Sequence, residues 1–111
     1  MARMGIAELV GSAQALAAAG QGALAAELYR DWAGQNPDDP LLHAVHFNRG
    51  VLLADTGDLT GAVEAFSAAI RRKPEFLPPY INLGAACERL GAKAQAYGHW
   101  AHVSGSLGGV T

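Results

Sequence analysis

The chain is poor in the residues that would give it an easy chemical identity. It has one cysteine, Cys87, so no internal disulfide can form. Lys and Arg total 8 against 10 Asp and Glu, a net charge of −2. That balance gives no reason to expect nucleic acid, whose backbone recruits strongly basic faces. Val and Ile are sparse, and no segment alternates apolar and polar residues as a half-buried strand does. No apolar run approaches the roughly 20 residues of a membrane span. The N-terminal "MARMGIAELVGSAQ" is interrupted by Glu8 and Gln14 and shows no clear signal-peptide pattern. These absences predict a soluble, cytoplasmic chain with no membrane partner. A glycine-rich loop leading into GK[ST], a CxxC and an HExxH are all missing, so no catalytic residue and no cofactor is expected. The "GSLGG" near the end does not join a strand to a helix and reads as tail or linker.

What is present is alanine, leucine and spaced glycine. Half of the 111 residues are hydrophobic, which predicts one folded domain spanning 1–111. Ala, Leu and Glu favour helix. The glycines fall mostly between apolar segments, as punctuation between short helices.

The sequence repeats. "NRGVLLADTGDLTGAVEAF" (Asn48 to Phe66) aligns with "NLGAACERLGAKAQAYGHW" (Asn82 to Trp100) at a step of 34 residues (84 − 50 = 34). Asn48 maps to Asn82, Gly50 to Gly84, Gly57 to Gly91, Ala62 to Ala96 and Phe66 to Trp100. A weaker copy upstream has Gly20, Ala25, Tyr29 and Pro37 in the mutual spacing of Gly57, Ala62, Phe66 and Pro74, at a step of 37 (57 − 20 = 37). The extra residues fall in "NPDDPLLHAVH". Asp39 as N-cap and Pro40 in the first turn predict that the third helix starts early.

Each unit reads as a helix, a tight turn and an antiparallel helix. In the middle unit the first helix is expected over about Pro40 to Thr56. Gly57 supplies the positive φ that ends it, and Asp58 caps a second helix running to about Arg72. Arg71, Arg72 and Lys73 complement the dipole at its end, and Pro74 blocks continuation. Gly50 and Ala62 let helices approach closely, with Phe66 filling the space beside them. The units are expected at about 5–39, 40–76 and 77–108. One pair cannot bury its own apolar face, so the pairs stack.

Asn48, Gly50, Gly57, Ala62, Phe66, Ala69 and Pro74, then Asn82, Leu83, Gly84, Gly91, Ala96 and Trp100, resemble the tetratricopeptide repeat (TPR) family. The resemblance implies an all-α fold, a superhelical solenoid of about three helix-turn-helix units, over about residues 5–108. There are departures. Arg49 stands where the family prefers leucine, Ala13 and Gly11 replace the glycine and asparagine of the first unit, and Gly108 stands where a proline would end the last.

The histidines form two i, i+3 pairs, His43/His46 and His99/His102, each without an obvious third ligand, so surface or interface roles are preferred to metal. Cys87 replaces Leu53 in the repeat frame and is expected in the core, as a small hydrophobe. Tyr29, Trp32, Phe66 and Trp100 fit an inter-helix core.

The recurring asparagine asks for a reason, because it is a mediocre helix former. In the family it resembles, the first helix of each pair lines a concave groove, which implies that Asn48 and Asn82 grip an extended peptide backbone there. The alternative is a hydrogen bond to a neighbouring helix. Helical spacing places Phe47, Val51, Ala54 and Asp55 beside Asn48, and Ile81, Ala85, Glu88 and Arg89 beside Asn82. Arg89 is the one cation placed there, which disfavours capture of a peptide's terminal carboxylate. The expected partner is a protein or extended peptide.

The stretch from "ELYRDWAGQNPDDPLLHAVHFNRG" to "KPEFLPPYINLGAA" and the closing Trp100 is similar to the N-terminal repeats of bacterial SPINDLY-like, O-linked N-acetylglucosamine (O-GlcNAc) transferase family proteins. That resemblance implies a substrate- or partner-recognition region that precedes a glycosyltransferase domain. No such domain lies in these residues, since it would need alternating βαβ patterns over several hundred residues. The alternatives are a free-standing TPR adaptor in a cytoplasmic complex and, more remotely, a small metal- or thiol-dependent enzyme. Trp100, Val103 and Leu107 without a visible polar cap predict self-association through the C-terminal helix, or partial exposure of that end.

Overall fold

A computed structural model describes residues 4–96 of the chain, with side chains through residue 92. Five helices follow one another: α1 (Ile6–Ala18), α2 (Gly22–Gln35), α3 (Leu42–Asp55), α4 (Leu59–Arg72) and α5 (Pro78–Ala96). No strand occurs among the described residues. Each helix packs chiefly on its neighbours in sequence, and α3 also touches α5.

The turn chemistry explains the pairing. α1 and α3 both end in a left-handed glycine, Gly20 (φ 79°) and Gly57 (φ 89°). In both, the glycine N–H bonds the carbonyl three residues back, to Ala17 and Ala54 (both 3.1 Å). The next N–H bonds the carbonyl five residues back, Gln21 to Leu16 and Asp58 to Leu53 (both 2.8 Å). This is the Schellman closure, which satisfies the last carbonyls while reversing the chain. The Asp58 carboxylate then accepts the Gly61 N–H at 2.9 Å and starts α4. α4 ends at Arg72, before Lys73 and Pro74, as expected.

The apolar residues form two clusters. Leu9 and Ala13 of α1 meet Ala25, Tyr29 and Trp32 of α2 and Leu42 and Val45 of α3. Ala62 and Phe66 of α4 meet Ala86 of α5, with Phe47, Val51, Leu53 and Ala54 of α3 and Leu83 packed around them. Gly50 joins α3 to α4 at the second cluster. A Cβ placed there would stand 2.5 Å from the Phe66 ring, so only glycine admits this approach. Two hydrogen bonds tie distant parts together. Trp32 Nε1 donates to the Met4 carbonyl (2.7 Å), and Arg72 donates to the Pro37 carbonyl (2.7 Å).

Three expectations are corrected. α3 starts at Leu42, not Pro40. The Asp39 carboxylate does accept a backbone N–H, that of Leu41 (2.8 Å), and the Leu42 N–H bonds the Asp39 carbonyl (3.2 Å). The cap therefore closes a tight i→i+3 turn that leads into the helix, rather than the helix itself. α5 does not break at Gly91 but runs on to Ala96. The reason is legible in the repeat frame. Where Asp58 caps the restart after Gly57, the position after Gly91 is Ala92 (58 + 34 = 92). Alanine has no side-chain acceptor, and Ala92-Lys93 favours continued helix. Finally, Cys87 is exposed, not in the core. Its counterpart Leu53 packs beneath α4, whereas no described helix covers that face of α5. His99, Trp100, His102, Val103 and Leu107, expected in a second helix of the last unit, lie outside the described residues.

Candidate functional site

α1, α3 and α5 are the first members of successive pairs, and they contribute to one face that carries two adjoining open cavities. The first, about 280 Å³, lies between α1 and α3 and is lined by Ala13, Gln14, Ala17, Tyr29, Phe47, Asn48, Val51 and Leu52. The second, about 260 Å³, lies between α3 and α5 and is lined by Val51, Ala54, Asp55, Phe66, Ile81, Asn82, Ala85, Ala86 and Arg89. Val51 is common to both. The small residues of the linings follow from the need for close helix packing, so the face is floored by alanines and walled by Phe47, Val51 and Ile81.

Of the residues read from the sequence, Phe47, Asn48 and Val51 fall in the first cavity. Val51, Asp55, Ile81, Asn82, Ala85 and Arg89 fall in the second. Glu88 lines neither and stands exposed on α5. Gln14 and Tyr29 were not anticipated at the site. Gln14 lies in the first unit, whose repeat signal is weak. Tyr29 occupies the aromatic position of the repeat, which suggested core alone, yet its hydroxyl reaches the cavity edge beside Asn48.

Asn48 makes a hydrogen bond to a neighbouring helix, the alternative weighed for it. Its amide nitrogen donates to the Tyr29 hydroxyl at 3.4 Å, across to α2. The contact is long, and a second N–H and the carbonyl oxygen remain. Burial pushes the Tyr29 hydroxyl pKa up, and the Asn48 bond opposes that shift. Asn82 is half-buried and makes no side-chain hydrogen bond to another described residue.

Arg49 points away from this face. It lines a separate depression with Ala26, Glu27, Arg30, Leu53 and Asp58 between α2 and α3. The inner face thus carries one acidic and one basic side chain in its cavities, Asp55 and Arg89. His43 packs edge-on against Phe76 (4.8 Å between centroids). His46 is half-buried with its Nδ1 unpartnered. Among the described residues no group of three or more His, Cys, Asp or Glu is arranged to hold a metal ion. No described helix is long and apolar enough to cross a membrane. The chain matches no family model, no curated protein and no solved structure.

Proposed function

We propose that the protein is a peptide-binding helical scaffold of the tetratricopeptide type, holding an extended segment of a partner protein along the face formed by α1, α3 and α5. The observation that carries this reading is the placement of Asn48 and Asn82. They stand one repeat apart (82 − 48 = 34) in adjoining cavities that share Val51. An amide offers donors and an acceptor to any peptide backbone, while apolar walls take side chains of many shapes. Such a site selects an extended backbone first and its sequence second.

The test is a peptide-array screen with the wild-type chain, followed by Asn48→Ala with Asn82→Ala. Two backbone hydrogen bonds are together worth about 1–3 kcal/mol, so captured peptides should bind about 5- to 150-fold more weakly. Helicity by circular dichroism should be unchanged. Unchanged affinity in the double variant rules the groove out.

The wording that resembles SPINDLY-like O-GlcNAc transferases extends the proposal to the recognition region of a bacterial glycosyltransferase. A glycosyltransferase reading frame continuing beyond Thr111 supports that extension. A stop codon there leaves a free-standing adaptor that uses the same groove.

A further inference from the structure

The cavity between α1 and α3 is bordered by a hydrogen-bond donor that no described residue uses. Tyr29 is 3 % exposed, yet its hydroxyl reaches the cavity edge. That oxygen accepts the Asn48 amide at 3.4 Å, while its own hydrogen meets no acceptor among the described residues. Burial raises its pKa, so the hydroxyl keeps that hydrogen at neutral pH. A hydroxyl donates as well as accepts, so the Asn48 bond uses only part of its capacity. The Asn48 carbonyl oxygen and the Gln14 amide border the same space, and no described side chain bonds either.

The rest of the lining is apolar. Ala13 and Ala17 leave room on α1, and Phe47 forms a wall on α3. The Phe47 ring is itself held by Phe66 (5.9 Å between centroids) and by Phe76 (5.7 Å, at 86°). A further ring beside it finds the edge-to-face packing that aromatic pairs prefer. An apolar space of about 150 Å³ already takes benzene, and this cavity offers about 280 Å³.

The chemistry of side chains narrows the occupant. Phenylalanine and leucine fill such a space but leave the Tyr29 hydrogen unmet. Tryptophan, lysine and arginine only donate, so they cannot accept it. Serine, threonine, asparagine and glutamine accept it but bring little apolar surface. A carboxylate or phosphate accepts it, but among the described residues no charged side chain lines the cavity to offset its desolvation. The phenol of tyrosine supplies a ring, an acceptor for Tyr29 and a donor for Asn48 or Gln14.

We infer that the cavity between α1 and α3 is a pocket for a tyrosine side chain of the bound segment. The inference rests on the peptide-binding reading for the source of the tyrosine, and on the cavity alone for its chemistry. It makes this cavity the part of the groove that reads sequence. Phosphorylation of that tyrosine removes its hydroxyl donor and adds uncompensated charge, so a phosphorylated segment is rejected.

Nuclear magnetic resonance titration of the full 111-residue chain, with labelled alanine methyls, provides the test. The probes are the N-acetyl amides of tyrosine, phenylalanine, leucine and phosphotyrosine. The Ala13 and Ala17 methyls should shift with the tyrosine probe, at a dissociation constant about 5- to 10-fold below that of the phenylalanine probe, the worth of one net hydrogen bond. The leucine probe should bind more weakly than tyrosine, and the phosphotyrosine probe should cause no shift. Tyr29→Phe keeps the core ring, so the dispersed spectrum should persist while the tyrosine and phenylalanine probes become level. Equal binding of those two probes to wild type, a preference that survives Tyr29→Phe, phosphotyrosine binding as tightly as tyrosine, or no shift with any probe would each overturn the inference. The peptide-array screen separates the two readings. Tyrosine-probe shifts without any captured peptide overturn the groove reading and uphold the pocket. Captured peptides that lose no affinity when each tyrosine is replaced by alanine overturn the pocket and uphold the groove.

Discussion

At the scale of the residue, Gly50 and His46 show how little room α3 and α4 leave each other. The Phe66 ring occupies the place of a side chain at Gly50. Gly50→Ala gains helix propensity but must displace a fully buried ring. Overpacking of this kind costs about 1–3 kcal/mol, so the variant should melt lower than wild type in a calorimetric scan. An equal or higher Tm would show that Phe66 can move aside. His46 lies one turn earlier. Burial, and then the charges of Arg49, Arg72 and Arg71, hold its imidazole pKa below the ordinary 6.5. The folded state thus binds a proton less readily than the unfolded chain. The associated stability is present above pH 6.5 and is lost as pH falls through the lower folded value. His46→Leu should flatten the decline of Tm below pH 6.5, while leaving neutral-pH stability equal or higher, because an unpartnered Nδ1 is removed.

At the scale of the element, the decisive signals are pairs of adjacent residues. Gly57-Asp58 stops one helix and starts the next, the glycine by its φ of 89° and the aspartate by its bond to Gly61. Gly91-Ala92 has the glycine without the cap, and α5 continues through it. A stop signal without a restart signal is only a weak position in a helix, costing about 1 kcal/mol relative to alanine. Gly57→Ala forces a side chain into left-handed backbone and should destabilise by about 1–2 kcal/mol. Denaturant titration with an unchanged m-value is the measurement. The same substitution at Gly91 should stabilise α5, a contrast the repeat alignment alone does not suggest. The helix pairing and the boundaries of α4 were legible in the sequence because caps and left-handed glycines are local chemistry. The start of α3 was not. Asp39-Pro40 carries the residue types of a helix start, and whether the turn after it is α or i→i+3 depends on how Leu42 reaches the core.

At the scale of the whole molecule, contacts run mainly from each helix to the next, so the chain extends to 54 × 31 × 20 Å rather than closing on one centre. Two clusters replace a single core. That linear arrangement puts α1, α3 and α5 in reach of one face and brings Asn48 and Asn82 to neighbouring cavities. Among the described residues, none covers the outer face of α5 at Gly84. Most of the candidate groove was readable because residues on one side of a helix follow its periodicity. Glu88 lines neither cavity because it lies at the margin of that side, and Tyr29 was missed because an aromatic ring can pack in the core while its hydroxyl reaches a cavity edge.

The sequence by itself determined the pairing of α1 with α2 and of α3 with α4, the bounds of α4, and the notch at Gly50, since each rests on interactions within a few residues or on the repeat. Tertiary structure alone decided that Asn48 shares its amide with Tyr29, that Arg49 faces away from the groove, and that Cys87 is exposed. Those outcomes depend on which helix lies across each face, and a helix's neighbours in space are fixed by packing across the whole stack.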